Sequence, residues 1–333
     1  MQIKHIEQIS YILNKFNEKG IEAVILKGLA LRHLYSKPEL RTMCDADFLI
    51  KNEDYDSAVQ CLLEIGYVSN NHDNDIHKGF IKANALEIEI HNKLVNNDFI
   101  DVDFSQYESQ LWRNVETIKI NGVETKTLGK EDFVIHLILH MAVHTKLYGF
   151  GIRQLYDLAV FVKKYYEKTN WDIVKEKLLA YRFLRYSQGI MMTINKLFDI
   201  TIPKIFFNKN INTKDIDMLI KSIMDSGVHG KKELNEDFKI LYESSNHHKD
   251  ESIIFMRILR FFIPRRSDII NQYDNKYEYI KSNIFLMPFV WVDRIANGYL
   301  KKYGFIETLQ LVSLSINILK RRNRIIKVFD LPY

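Results

Sequence analysis

Apolar residues at Ile6, Ile9, Ile12, Leu13 and Phe16 recur at helical spacing and stop at Lys19-Gly20, which predicts a helix over residues 3–19. A short unbroken apolar run, Ile21–Leu26, reads as a buried strand. Gly28–Tyr35 returns to helical spacing through Leu29, Leu31 and Leu34, and Ser36-Lys37-Pro38 breaks it. A second strand is predicted over Asp45–Ile50. A helix follows over Asp54–Ile65, with Gly66 placed as its C-terminal cap. Beyond a polar loop with Asn70, Asn71, Asp73 and Asn74, two more strands are predicted, Gly79–Asn84 and Leu86–Asn92. The last alternates, with Glu87, Glu89 and His91 on one face and Leu86, Ile88 and Ile90 on the other.

Asn121-Gly122 predicts a hairpin turn. From Lys130 onward strand signals fade, and helices are predicted over Glu131–Thr145, Gln154–Tyr166 and Asp172–Tyr181, with Pro203, Pro264 and Pro288 as later punctuation. The pattern therefore gives an α+β fold: a small mixed sheet with flanking helices over residues 1–125, then a mostly helical domain over 126–333. Two domains also suit 333 residues at about 150 per domain.

Composition narrows the picture further. Hydrophobic residues make up 47% of the chain, enough for packed cores, and 47 basic against 42 acidic residues leave a mild +5 that does not by itself indicate nucleic-acid binding. Two cysteines are too few for a disulfide framework or a zinc site and fit a reducing, cytoplasmic setting. The N-terminus lacks the apolar core of a signal peptide. No apolar run approaches the ~20 residues of a membrane span, the longest, Ile284–Val292, being interrupted by Pro288.

Chemistry concentrates at Cys44-Asp45-Ala46-Asp47-Phe48. Asp45 and Asp47 share one strand face, roughly 7 Å apart at Cα, and their mutual repulsion is relieved by a hard divalent cation. Two-metal phosphoryl transfer needs such carboxylates plus one from a neighbouring strand. Glu89 is the candidate third acid and Glu87, facing the same way, its rival. Lys27-Gly28 lies between a strand and a helix, where glycine permits close approach and a helix N-terminus attracts phosphate. Arg41 is placed to hold a phosphate, and His91 shares the face of Glu89. A solvated D-x-D without function is the alternative. Haloacid-dehalogenase-like phosphatases and nucleotide-sugar glycosyltransferases also use D-x-D, but the poor strand Arg41-Thr42-Met43-Cys44 and the early position fit them less well. P-loop, dinucleotide-binding and nucleophile-elbow motifs are absent.

Taken together, Leu26-Lys27-Gly28, Leu34-Tyr35, Arg41, Asp45-Ala46-Asp47-Phe48-Leu49-Ile50 and Glu89-Ile90-His91 resemble the uncharacterised nucleotidyltransferase family of the DNA polymerase β-like superfamily. In that family Lys-Gly replaces the superfamily's usual Gly-Ser. His140, His144, Arg153-Gln154-Leu155-Tyr156-Asp157-Leu158 and Trp171-Asp172 look like its helical segment, while Phe262-Ile263-Pro264, Pro288, Trp291 and Arg294 match more loosely. The resemblance implies metal acids on adjacent strands, a helical domain closing over them, Mg²⁺ as two ions, and a nucleoside triphosphate. Asp45, Asp47 and Glu89 then bind metal, Lys27 and Gly28 handle the triphosphate, and His140, His144 and Arg153 face the acceptor. Glu89 departs from the superfamily's common aspartate. A catalytically silent module binding a nucleotide or a partner is the second reading.

His136, His140 and His144 share a helix face; zinc, a cleft lining, and buried hydrogen-bonded histidines are the three readings. Arg153 and Asp157, four apart, suggest a structural ion pair. The basic run Lys320-Arg321-Arg322-Asn323-Arg324 is a solvated helix face or a steering surface for an anionic acceptor such as RNA or a glycan. The acceptor is not legible: small molecule, glycan, RNA and protein all remain open.

Overall fold

The computed structural model describes residues 2–70, 77–94, 102–147, 149–228, 230, 262–272 and 275–332. Among these, seven strands form one mixed sheet in the order β3-β4-β5-β2-β1-β7-β6. The strands are β1 Ala23–Ile25, β2 Asp45–Ile50, β3 Val68–Ser69, β4 His77–Ile81, β5 Glu87–His91, β6 Val115–Ile120 and β7 Val123–Leu128. β1 runs antiparallel to β2 and parallel to β7, and β2 runs parallel to β5. The two acid-bearing strands therefore lie side by side in the middle of the sheet.

The strand pattern follows from side-chain alternation. Along β2, Ala46, Phe48 and Ile50 are buried on one face, where Phe48 meets the ring of Phe16 edge-on at 5.9 Å. Phe16 lies on α1, Gln2–Glu18, whose apolar stripe Ile9, Ile12, Leu13 and Phe16 is wholly buried. Along β5, Ile88 and Ile90 are buried while the acids take the other face. The predicted hairpin turn is present: Asn121 and Gly122 both have positive φ, 49° and 84°, and join paired Ile120 and Val123.

One difference from the sequence pattern bears on the site. The helix expected over residues 28–35 is a five-residue α2, Lys27–Leu31, continued by a tighter turn at Arg32–Leu34. β7 ends the sheet at Leu128. Asn71, Asp73 and Asn74 lie outside the described residues.

Helices α3, Tyr55–Glu64, and α4, Ser105–Leu111, flank the sheet. The chain then turns helical: α5 Lys130–Leu147, α6 Ile152–Tyr165, α7 Trp171–Ala180, α8 Leu184–Phe198 and α9 Thr213–Asp225, with a further helix over Phe305–Val328. Apolar side chains surround α5 on most sides, from Phe133 to Ala142, as a central helix requires. The core is continuous from the sheet through α5 and α6 to Ile325 and Phe329. A second small core gathers Ile269, Tyr277, Ile280, Met287 and Val290. The basic run is partly structural: Arg321 pairs with Asp225 and Arg322 is buried, while Lys320 and Arg324 are exposed. Among the described residues no helix is long and apolar enough to cross a membrane.

Candidate active site

The register of β2 and β5 builds the site. Parallel pairing sets Asp45 opposite Glu87, Asp47 opposite Glu89 and Leu49 opposite His91. Alternation then turns both aspartates and both glutamates toward one face. The two glutamates part there: Glu87 accepts a hydrogen bond from the Asn70 amide, whereas Glu89 joins Asp47. His91 Nε2 lies 3.1 Å from Asp47 Oδ1 and 3.3 Å from Glu89 Oε2. One ligand atom from each of Asp47, Glu89 and His91 falls within 4.8 Å of the others. His91 was legible only as a neighbour on the same face, and its part in this cluster needs the register.

Lys27 enters from the far end of β1. The Leu26 backbone N–H donates to Asp47 O at 3.1 Å, tying the start of α2 to β2. Lys27 then takes a left-handed φ of 43° and donates from Nζ to Asp47 Oδ1 at 2.8 Å. Burial opposes charge on Asp47, but Lys27 and His91 outweigh it and hold the carboxyl well below its usual range. Burial likewise opposes charge on Lys27 and His91, yet the acids keep both above their ordinary values. Asp45 stands at the solvent-facing rim, and surrounding protein together with the charges of Asp47 and Glu89 pushes its carboxyl up to about 6 against the pull of Lys27 and Arg41.

Gly28 and Arg41 explain each other. A Cβ at position 28 would stand 2.8 Å from Arg41 Nη2. Arg41 cannot easily yield, because it is buried and grips Asp157 through Nε and Nη2, both at 2.8 Å, and donates from Nη1 to Thr42 O at 2.7 Å. Tyr35 also donates to Asp157, at 2.6 Å. Asp157 lies on α6, so this buried cluster fastens the helices to the segment that leads into β2. The expected ion pair of Arg153 with Asp157 is replaced: Asp157 is taken by Arg41, and Arg153 Nη1 donates to Thr42 O at 2.8 Å.

The helices form the opposite wall. A cavity of about 200 Å³ is lined by Lys27, Gly28, Arg41, Cys44, Asp45 and Asp47 on the sheet side and by Leu137, His140, Met141, His144, Arg153, Gln154 and Asp157 on the helix side. His140 and His144 face each other with Nε2 atoms 3.1 Å apart. His136 is buried, and among the described residues neither of its ring nitrogens has a hydrogen-bond partner, contrary to the hydrogen-bonded reading; burial lowers its pKa to about 3. Burial and the nearby Lys27 charge push His140 well down too. Among the described residues, the cluster that could hold a metal is Asp47, Glu89 and His91, and none gathers around the α5 histidines.

No curated protein matches the chain. Among solved structures, it is similar to an antigenic nucleotidyltransferase-like protein from Paracoccidioides brasiliensis, with 14% identity over 54% of this chain and 89% of that one and a TM-score of 0.36. It is also similar to the lincomycin-bound lincosamide antibiotic adenylyltransferase LnuA, with 13% identity over 46% of this chain and 94% of that one and a TM-score of 0.33. The model of an uncharacterised nucleotidyltransferase family matches residues 2–199, a span that takes in the whole sheet, the acidic face and helices α5 to α8. The chain belongs to that uncharacterised nucleotidyltransferase family.

Proposed function

We propose that the protein moves a nucleotidyl group from a nucleoside triphosphate to an acceptor, with Mg²⁺. The observation that carries this reading is the alignment of Asp47 with Glu89 on neighbouring parallel strands, with Asp45 one step along the same face. The donors suit the ion. Carboxylate oxygens are the ligands Mg²⁺ prefers, and His91 is placed to orient Asp47 and Glu89 as an outer partner. Asp45, Asp47 and Glu89 would hold the metal, as two ions in this reading. When bound, Mg²⁺ offsets charge on the transferring phosphate and favours the attacking oxygen.

Each remaining residue has a separate task. Lys27 is the main positive group offered to the triphosphate, because α2 is only five residues long and contributes little as a helix terminus. Gly28 leaves its backbone open to close approach. Arg41 lines the cavity but is committed to Asp157 and Thr42, so we assign it to positioning, near enough to Asp45 to offset charge there. His140, His144 and Arg153 form the wall where the acceptor would lie, and the acceptor's proton would pass to the carboxylate cluster, with Glu89 the candidate. The cavity is smaller than the roughly 300 Å³ at which ligand pockets begin, so it suits the triphosphate with the nucleoside projecting outward. A sheet domain closed by a helical one, in a cytoplasmic setting suited to two unpaired cysteines, completes the reading.

The test is incubation with the four labelled triphosphates and a cell extract. A labelled product that needs Mg²⁺ supports the reading and reveals base and acceptor class. No labelled product from any of the four contradicts it.

One observation favours a second reading. Lys27 pairs directly with Asp47, as a silent nucleotide- or partner-binding module would allow. Calorimetry with ATP separates the two: binding that is indifferent to Mg²⁺ and releases no pyrophosphate favours the module.

A further inference from the structure

The Oδ1 atom of Asp47 carries two partners at once, Lys27 Nζ at 2.8 Å and His91 Nε2 at 3.1 Å. Both side chains are mostly buried, Lys27 at 17% and Asp47 at 5% exposure, so water screens this pair poorly. The same carboxylate belongs to the one cluster of potential ligands found among the described residues. An ammonium and a divalent cation at one carboxylate repel each other, so each weakens the other's hold on it. The backbone adds a second observation. Lys27 sits in the left-handed region at φ 43°, unfavourable for a side chain, while a glycine stands next to it in the sequence. The fold keeps a lysine side chain where the backbone alone would favour glycine.

Resting on the nucleotidyl-transfer reading above, we propose that Lys27 is a built-in counter-cation that competes with the divalent metal for Asp47 and is released toward the substrate phosphates when the metal binds. Until a metal binds, the lysine offsets part of the negative charge of the acidic face. Metal entry displaces the ammonium from Asp47 Oδ1, and Lys27, which also lines the cavity, is then free to pair with phosphate oxygens. No covalent bond changes in this exchange. It sets metal affinity in the absence of nucleotide below what the carboxylates alone would give.

The experiment is calorimetric titration of the full chain with Mn²⁺, without nucleotide, in wild type, Lys27→Met and Lys27→Arg. Lys27→Met is expected to bind Mn²⁺ about tenfold more tightly or better, since its competitor is gone. Lys27→Arg, which keeps the charge, is expected to stay near wild type. Unchanged or weaker Mn²⁺ binding in a folded Lys27→Met protein overturns the proposal. Should Lys27→Met fail to fold, wild-type protein labelled with carbon-13 at lysine Cε gives the answer. The Lys27 resonance is expected to move on adding Mg²⁺, and a resonance that stays put at saturating Mg²⁺ overturns the proposal. These readouts involve no turnover. Failure here with Mg²⁺-dependent product intact removes the competition alone, whereas wild-type protein that binds no Mn²⁺ and forms no product removes both readings.

Discussion

Asp47 is where the residue-scale argument converges: a buried carboxylate held ionised by Lys27 and His91 on the acidic face of the sheet. Its position on the acidic face was legible from alternation alone, as were Asp45, Glu87, Glu89 and His91. The choice of Glu89 over Glu87 was not, because both face the same way and only the pairing with β2 sets one beside Asp47. Arg41 and Asp157 were invisible as a pair, being 116 residues apart. Removing one partner of a buried ion pair strands the other, so Asp157→Ala is expected to cost about 3–5 kcal/mol in denaturant unfolding, and Arg41→Met with Asp157→Leu distinctly less. Equal losses in both would contradict the pairing.

His136 gives a pH prediction at the same scale. Its folded pKa of about 3 lies below the ordinary 6.5, so the unfolded chain takes up the proton first. The stability from keeping it neutral is present above about pH 6.5 and is lost as pH falls toward 3, at up to ~1.4 kcal/mol per pH unit. The Lys27 charge opposes protonation and Asp47 favours it, and burial dominates both. His136→Leu is expected to flatten this slope in unfolding measured from pH 7 to 4. An unchanged slope would place the proton uptake elsewhere.

Among elements, long periodic helices and buried strands were the legible ones. α1, β2 and α5 to α7 fall within a few residues of the pattern, because each buries a stripe or face that the sequence repeats. β3 has only two residues and carries no period. β6 was hinted at only by its turn, since Val115–Ile120 lies largely at the surface and its side chains face neither a clear core nor clear solvent. α2 was overestimated because Leu29, Leu31 and Leu34 fit helical spacing, although the chain tightens after Leu31 to bring Tyr35 onto Asp157. The β6–β7 turn depends on two positive φ values, so Gly122→Val is expected to lower stability by about 1 kcal/mol or more. Thermal unfolding checks it, and an unshifted midpoint would mean the hairpin tolerates another turn.

Over the whole molecule, what matters is that one sheet face and one pair of helices enclose a shared cavity, and that Arg41–Asp157 and Arg153–Thr42 bind the two sides together across it. Sequence patterns separated a sheet region from a helical region, but the contacts that join them lie between segments more than 100 residues apart. Domain closure was therefore an inference from resemblance and not from pattern. Gly28→Ala probes that junction, since the added Cβ would crowd the Arg41 guanidinium. It is expected to cost about 1–3 kcal/mol of stability by overpacking, read by denaturant unfolding, and a neutral result would mean the junction relaxes.

Nucleotidyl transfer by the acidic face is the claim on which these scales meet. The most direct measurement is Mg²⁺-dependent pyrophosphate release, with labelled triphosphates and a cell extract, by wild type and by the Asp45→Asn, Asp47→Asn double variant. The account predicts that release falls by about a hundredfold or more in the folded variant. Release at the wild-type rate from that variant would contradict it.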